Sequence, residues 1–455
     1  APDVWNVTRG LTVNGSGPIH VAVIDTGVDY NSPELHGVFK GGHNFITGTD
    51  DPLDDDGHGS HVSGIIAAAD DNEGVVGVAP AIDLYALKVL DACGSGTSEH
   101  VIGAVDWVIQ KKTDIGGNWV VNLSLGSDQP SNIEEAAFQR AADAGILVCA
   151  AAGNGFDPTN PSDGLAYPGG YPTVVSVGAV DSTGLVADFS QRGSDLKVVA
   201  PGVTVLSTFV AADVATNDGR TFAGTTPVIV TDDAGDPLNN FCLPSPNVTT
   251  APFVFCGFGG SASDFPASVS GKIALIQRGP AAPATGVKFV DKILNAKNAG
   301  ATGVILFDHT AEGLLTPALG NYSTPSSVPN FPPTVFISLA DGNALKASPG
   351  ATVSLGFGFE TWALESGTSM STPHAAAVAA LVWAAAPTAT ANDVTNAIEN
   401  TATDLGDAGF DNTYGHGLVN AFEAAKQLNP AAFGSGGTPE PPTPTGRAPG
   451  RRGGH

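Results

Sequence analysis

Three short stretches carry side chains whose types suit nucleophilic catalysis. They are VAVIDTGVD around Asp25, DDDGHGSHVSG around His58 and ESGTSMSTPH around Ser369. A serine hydroxyl is a weak nucleophile until a neighbouring imidazole removes its proton. The imidazole in turn needs a buried carboxylate to fix its tautomer and stabilise its charged form. Taken singly, Asp25 reads as a turn residue, His58 as a cap or surface histidine, and Ser369 as an ordinary helix N-cap. Taken together, they supply a carboxylate, a base and a nucleophile. A fourth residue, Asn154 in AAAGNG, follows an apolar run and is flanked by glycines. Its amide suits donation to a developing oxyanion, against the plainer reading of an Asn-Gly turn.

Residues so distant along the chain need a scaffold that collects them at one rim. The runs IHVAVID, DLYALKVL, WVVNLSLG, ILVCAAAGN and VVSVGAV are apolar throughout rather than alternating, as in strands covered on both faces. Helical patterns over 59–69, 97–112 and 132–144 separate them, and another follows at 371–386. The expectation is an α/β fold with a doubly wound, mostly parallel sheet and functional loops at the strands' carboxyl ends. Asp25, His58 and Ser369 are expected to converge there within hydrogen-bonding reach. The pattern breaks after Ser207, and VSGKIALIQRG with FVDKILNAKNAGATGVILFD has another character, including a turn at Gly300. The predicted organisation is a first catalytic part over 1–207, an inserted β-rich α+β domain over 222–357, a second catalytic part over 361–429, and a flexible Pro/Gly-rich tail over 430–455.

The formal charge of −26 argues against nucleic acid as a partner, because a polyanion would be repelled. No apolar stretch reaches the roughly 18 residues of a membrane span. The chain opens Ala1-Pro2-Asp3, with neither an initiator Met nor the basic and apolar regions of a signal. That is expected if a signal and further sequence were removed, or if the chain was trimmed. Cys242 and Cys256, close together in a polar Pro-rich stretch, look like a local disulfide of an oxidising, extracellular compartment. Cys149 reads as a buried free thiol, and Cys93 is left unassigned.

The sequence resembles the subtilisin-like serine proteases (subtilases) in four places: VIDTG, GHGSHVSG, AAAGN and GTSMSTPH. The resemblance implies that Asp25, His58 and Ser369 form the triad, and that Asn154 and the Ser369 N–H bind the oxyanion. His61 and His374 belong to the motifs as structural residues. The middle segment resembles a protease-associated (PA) domain. The implied function is a secreted serine endopeptidase working through an acyl-enzyme on Ser369. The alternatives are a processing protease with one target, or an inactive PA-bearing binding protein.

By the same resemblance a peptide binds as an added strand between Ser124-Leu125-Gly126 and Gly94-Ser95-Gly96. The primary pocket is walled by Ser124–Gly126 and by Ala151, Ala152 and Gly153, with Ala166 at its base. A small neutral base favours large apolar side chains, and no wall group is expected to pair with Lys or Arg. The acidic run from Asp50 to Asp56 reads mainly as a solvated surface, with Asp56 favouring a basic residue one position further along the substrate. No cofactor is needed for catalysis. A structural calcium is left open, because Glu34 and Asp71 stand where subtilases hold one but the N-terminal ligand has no match. The partners are protein or peptide substrates, and the expected state is a monomer. Met370, the only methionine, is placed by analogy at the edge of the site.

Overall fold

The five apolar runs all become strands of one sheet. The computed structural model describes residues 2–92, 94–159, 164–216, 221–225, 228–229, 241–242, 249–279, 288–309 and 331–433. The sheet contains β1 (His20–Asp25), β2 (Phe39–Asn44), β3 (Asp83–Lys88), β4 (Trp119–Leu123), β5 (Leu147–Ala151), β6 (Val175–Val180) and β7 (Val198–Pro201). Its order is β2-β3-β1-β4-β5-β6-β7, and every pairing is parallel. Strand β1 lies where the winding reverses, with β3 on one side and β4 on the other. The carboxyl end of such a strand opens onto a crevice between diverging loops. Asp25 is the last residue of β1.

Strands β2 and β7 are additions to the sequence reading. The β2 segment, FKGGHN, is half-exposed and glycine-rich, so it lacks the continuous apolar signature. Helices follow the expected positions closely. After the short α1 (Pro2–Trp5) and α2 (Pro33–His36) come α3 (His58–Ala67), α4 (Ser98–Ile115) and α5 (Asn132–Asp143). Near the chain's end the catalytic part closes with a helix over Thr368–Ala385, named α8 below, which is buried on nearly all sides. A helix apolar all round belongs in a core, and this one packs across β4, β5, β6 and β7. Among the described residues no helix is long and apolar enough to cross a membrane.

The insertion enters and leaves on two long strands, β8 (Val205–Thr216) and its partner over Thr352–Glu365. Between them lie β9 (Thr221–Thr225), the small pair β10 (Val228–Ile229) and β11 (Phe241–Cys242), β12 (Thr249–Phe255), β13 (Ile273–Gln277), α6 (Phe289–Asn298), β14 (Gly303–Phe307), β15 (Thr334–Ile337) and α7 (Leu339–Lys346). The strand over Thr352–Glu365 is therefore β16, and it pairs antiparallel with β8 from Val205↔Glu365 to Thr216↔Val353. Strands β12-β13-β14-β15-β9-β8-β16 close into a barrel. After α8 come α9 (Ala391–Thr401), α10 (Ala421–Leu428) and a turn at Pro430–Phe433, while 434–455 of the expected tail lie outside the described residues.

Cys256 corrects the disulfide reading. It is a free, fully buried thiol that donates to the Val254 carbonyl at 3.3 Å. It belongs to the apolar core with Ile276, Val304 and Phe336, where burial pushes the thiol up to about 11. The side chain of Cys242 lies outside the described residues, as does Cys93. Cys149 is a free, buried thiol of β5, as expected.

The start of α3 is seated by close backbone approach: a Cβ on Gly59 would lie 2.1 Å from the Gly27 carbonyl oxygen. Gly59→Ala is therefore expected to force the helix start away from the β1 turn and cost about 1–3 kcal/mol. Urea denaturation measures this, and an unchanged midpoint would refute so tight a contact.

Candidate active site

Asp25 has no exposed surface, and its Oδ1 lies 2.7 Å from His58 Nδ1. The same oxygen accepts from the Thr26 N–H at 2.7 Å. The His58 side chain is 25% exposed, so one edge of the ring faces the cleft while Nδ1 is committed to the carboxylate. Burial alone would lower the imidazole pKa. The Asp25 charge and hydrogen bond outweigh it, aided by Glu365 and Asp56, and the net direction is upward.

A second carboxylate holds this pair in place. Asp54, buried to 1% exposure, accepts from Thr26 Oγ1 at 2.9 Å, from the Asp56 and Gly57 N–H groups at 3.0 Å each, and from the Ser60 N–H and Oγ at 2.8 and 2.7 Å. Thr26 Oγ1 accepts from the Gly59 N–H at 2.8 Å, which closes the brace between the β1 turn and α3. Asp55 takes the buried Lys88 ammonium at 2.6 Å, and Lys88 also donates to the Thr26 and Leu90 carbonyls. The reading of this run as mainly solvated is thus corrected for Asp54 and Asp55. Sequence does not reveal that backbone donors converge on one carboxylate.

Ser369 is the second residue of α8, not its N-cap, which is Gly367. Its hydroxyl donates to the Ser124 carbonyl at 3.0 Å, and Ser124 Oγ donates back to the Ser369 carbonyl at 2.7 Å. Among the described residues the hydroxyl's partner is therefore Ser124 rather than His58. Ser124 and His58 line the same cavity, so the hydroxyl's partner borders the imidazole's cleft. Asn154 Oδ1 accepts from the Thr368 N–H at 2.8 Å and from Thr368 Oγ1 at 2.9 Å. Both bonds commit the amide oxygen and leave the NH₂ group as the donating end. His61 is buried and His374 half-buried, and both are held by backbone carbonyls: His61 Nε2 lies 3.1 Å from both Val205 and Ala363 oxygens, and His374 Nδ1 lies 2.8 Å from that of Met370. Burial pushes His61 down to about 4, which keeps it neutral.

Two cavities flank the Leu125–Ser127 segment. The smaller, about 300 Å³, is bordered by Ser369, Asn154, Ala151, Gly153 and Ala166. Ala152 does not join them, because it turns into the core beside Leu165, Val180 and Leu196. Two wall residues escaped the sequence reading. Gln191 Oε1 accepts from the Gly155 N–H at 3.4 Å, and the exposed Asp128 stands in a wall expected to hold no anion. The larger cavity, about 520 Å³, takes in His58, Asp56, Ser124 and Gly94, Ser95 and Gly96.

A model described as the Subtilase family matches residues 16–227 and 342–417. The chain belongs to the subtilase family, the subtilisin-like serine proteases. A PA-domain model matches residues 248–345. Subtilisin Savinase of Lederbergia lenta is 42% identical over 223 residues, which cover 49% of this chain and 76% of that protein. An alkaline protease of Shouchella clausii is 42% identical over 223 residues, covering 49% of this chain and 54% of that protein. Subtilisin E of Bacillus subtilis (strain 168) is 40% identical over 206 residues, covering 45% and 52%. Among solved structures, the psychrophilic subtilisin-like protease Apa1 from the Antarctic psychrotroph Pseudoalteromonas sp. AS-11 is similar with a TM-score of 0.55 and 30% identity, covering 95% of this chain and 97% of that one.

One expectation drawn from the subtilase resemblance needs revision. Met370 is 2% exposed, lines neither cavity and packs in the core with the alanines of α8. Glu34 and Asp71 gain no third carboxylate: among the described residues no group of three His, Cys, Asp or Glu side chains is disposed to hold a metal. Calcium takes six to eight oxygens, backbone carbonyls among them, and no step is built on such a site.

Glu365 is partly buried, and its Oε2 lies 3.8 Å from His61 Nδ1. Its charge helps hold the His58 pKa up. Glu365→Gln removes that anion, so the imidazolium loses stabilisation and the His58 pKa falls. NMR titration of the imidazole reads the shift, and an unchanged or higher value would exclude the coupling.

Proposed function

We propose that this subtilase is a secreted endopeptidase that hydrolyses peptide bonds through an acyl-enzyme on Ser369. The observation that carries the reading is the 2.7 Å contact between His58 Nδ1 and a carboxylate with no exposed surface. With Nδ1 so committed, Nε2 is the nitrogen left to act as base. The Ser369 hydroxyl leaves the Ser124 carbonyl and passes its proton to His58 Nε2 as Oγ attacks the scissile carbonyl carbon. In unliganded sites such bonds often form only once substrate is bound. Asp25 stays ionised and stabilises the imidazolium.

Negative charge then develops on the carbonyl oxygen. The Asn154 NH₂ group, whose oxygen Thr368 already occupies, faces that charge together with the Ser369 N–H in the first turn of α8. His58 returns the proton to the departing amine. Water, deprotonated by the same ring, attacks the ester and restores Ser369. The bound peptide lies between the Ser124–Gly126 and Gly94–Gly96 edges, which leave the carboxyl ends of β4 and β3.

The side chain before the scissile bond enters the 300 Å³ cavity. Leu125, Ala151 and the nearly buried Ala166 make it fit for Phe, Leu, Tyr or Met. Asp128 is exposed, and an exposed carboxylate contributes little to pairing with a cation. Secretion accords with the charge of −26, which suits solubility outside the cell.

Ser369→Ala is expected to lower kcat on the order of 10⁶-fold and abolish labelling by a fluorophosphonate. Asn154→Ala is expected to lower kcat by about 10²–10³-fold with little change in KM. Equal cleavage of a peptide library by wild type and Ser369→Ala would refute the assignment. A wild-type profile dominated by Arg immediately before the scissile bond would refute the apolar pocket.

A further inference from the structure

The larger cavity contains a carboxylate that the proposed reaction does not use. Glu134 lies in the first turn of α5, is 5% exposed, and lines the same 520 Å³ space as His58. Its Oε2 accepts from the Tyr171 hydroxyl at 3.0 Å, and its backbone N–H is capped by Ser131 Oγ at 3.4 Å. Elsewhere α5 buries Ala137, Phe138 and Ala141. A carboxylate among such neighbours costs free energy that an apolar side chain would not.

The rest of the cavity suits a complementary guest. Leu90, Val101 and Leu125 provide apolar wall, Asp56 adds a second carboxyl beside His58, and no Lys or Arg among the described residues lines the space. Apolar walls with a carboxylate among the lining groups, hydrogen-bonded by Ser98, match a side chain with a methylene stem and a cationic head. Burial holds the Glu134 carboxyl above its ordinary range, so an arriving cation stabilises a charge that the unliganded pocket disfavours. The cavity also shares Leu125, Gly126 and Ser127 with the smaller one. An extended peptide advances about 3.3 Å per residue. With one side chain in the smaller cavity, it therefore presents another to the larger within a few positions.

We propose that Glu134 makes this part of the cleft selective for an arginine or lysine on the acyl side of the scissile bond, its carboxylate receiving the charged end. The inference rests on the endopeptidase reading above.

A peptide set with Phe fixed before the scissile bond tests it, with Ala, Leu, Gln, Lys and Arg scanned at each of the three preceding positions. Wild type is expected to favour Arg or Lys over Leu by about tenfold in kcat/KM at one of them. Glu134→Gln keeps an acceptor for Tyr171 and removes the charge, and should bring the Arg-to-Leu ratio to about one. Glu134→Leu should invert it, with thermal melting confirming that both variants fold. If wild type cleaves the all-Ala reference but is indifferent to cations throughout, the role of Glu134 is refuted and the endopeptidase reading stands. A cation preference unchanged in Glu134→Gln also refutes it. Failure to cleave any peptide would overturn both.

Discussion

A carboxylate fully withdrawn from water lies against an imidazole that must remain at the edge of a cleft. Much of the surrounding structure answers to that contact. Removing one member of such a buried pair typically costs about 3–5 kcal/mol, because the other is left charged and unsolvated. The Thr26 N–H shares the Asp25 oxygen that meets His58, and Thr26 Oγ1 in turn ties to Asp54 and Gly59. Asp54 accepts five hydrogen bonds, so its own burial is matched by donors. It fastens the strand that carries the acid to the helix that carries the base.

The sheet order explains why this contact opens onto a usable cleft. Strand β1 ends at the reversal of winding, and the chain leaving β3 and β4 on either side supplies the two edges between which a peptide fits. Helix α8 crosses beneath the sheet and brings Ser369 and the Thr368–Asn154 contact to the same rim. Its alanine-rich sequence allows that close crossing, and Met370 belongs to this packing rather than to the cleft.

The Asp25–His58 contact was legible because chemistry restricts those residue types and because glycines mark where backbones draw close. The long strands were legible because burial on both faces leaves an unbroken apolar signature. Gln191, Glu134, Thr368 and Lys88 were not. Each acts through a partner remote in sequence, and each occupies a position that a turn, a helix start or a strand end would accept from several residue types. The acidic run misled for a similar reason: three consecutive aspartates look solvated until the folded chain aims donors at Asp54 and an ammonium at Asp55. Cys256 misled because a polar, Pro-rich neighbourhood conceals that its side chain turns into the apolar cluster shared by the barrel strands and α6.

The ribbon of β8 and β16 runs from the barrel to the catalytic part, its pairing interrupted by a bulge between Phe357 and Phe359. At its catalytic end Ser207 and Thr208 donate to the His61 and Ser60 carbonyls, while Val205 and Ala363 offer their own carbonyls to the His61 ring. The accessory barrel is thus joined to the helix of His58 by a stiff graft, not a tether. Torque applied to that barrel, by a captured protein or by a surface, would be delivered at the first turns of α3. A minimal enzyme made by trimming the barrel would have to reconnect the two strands beyond Thr208 and Trp362, leaving this hydrogen-bonded root intact.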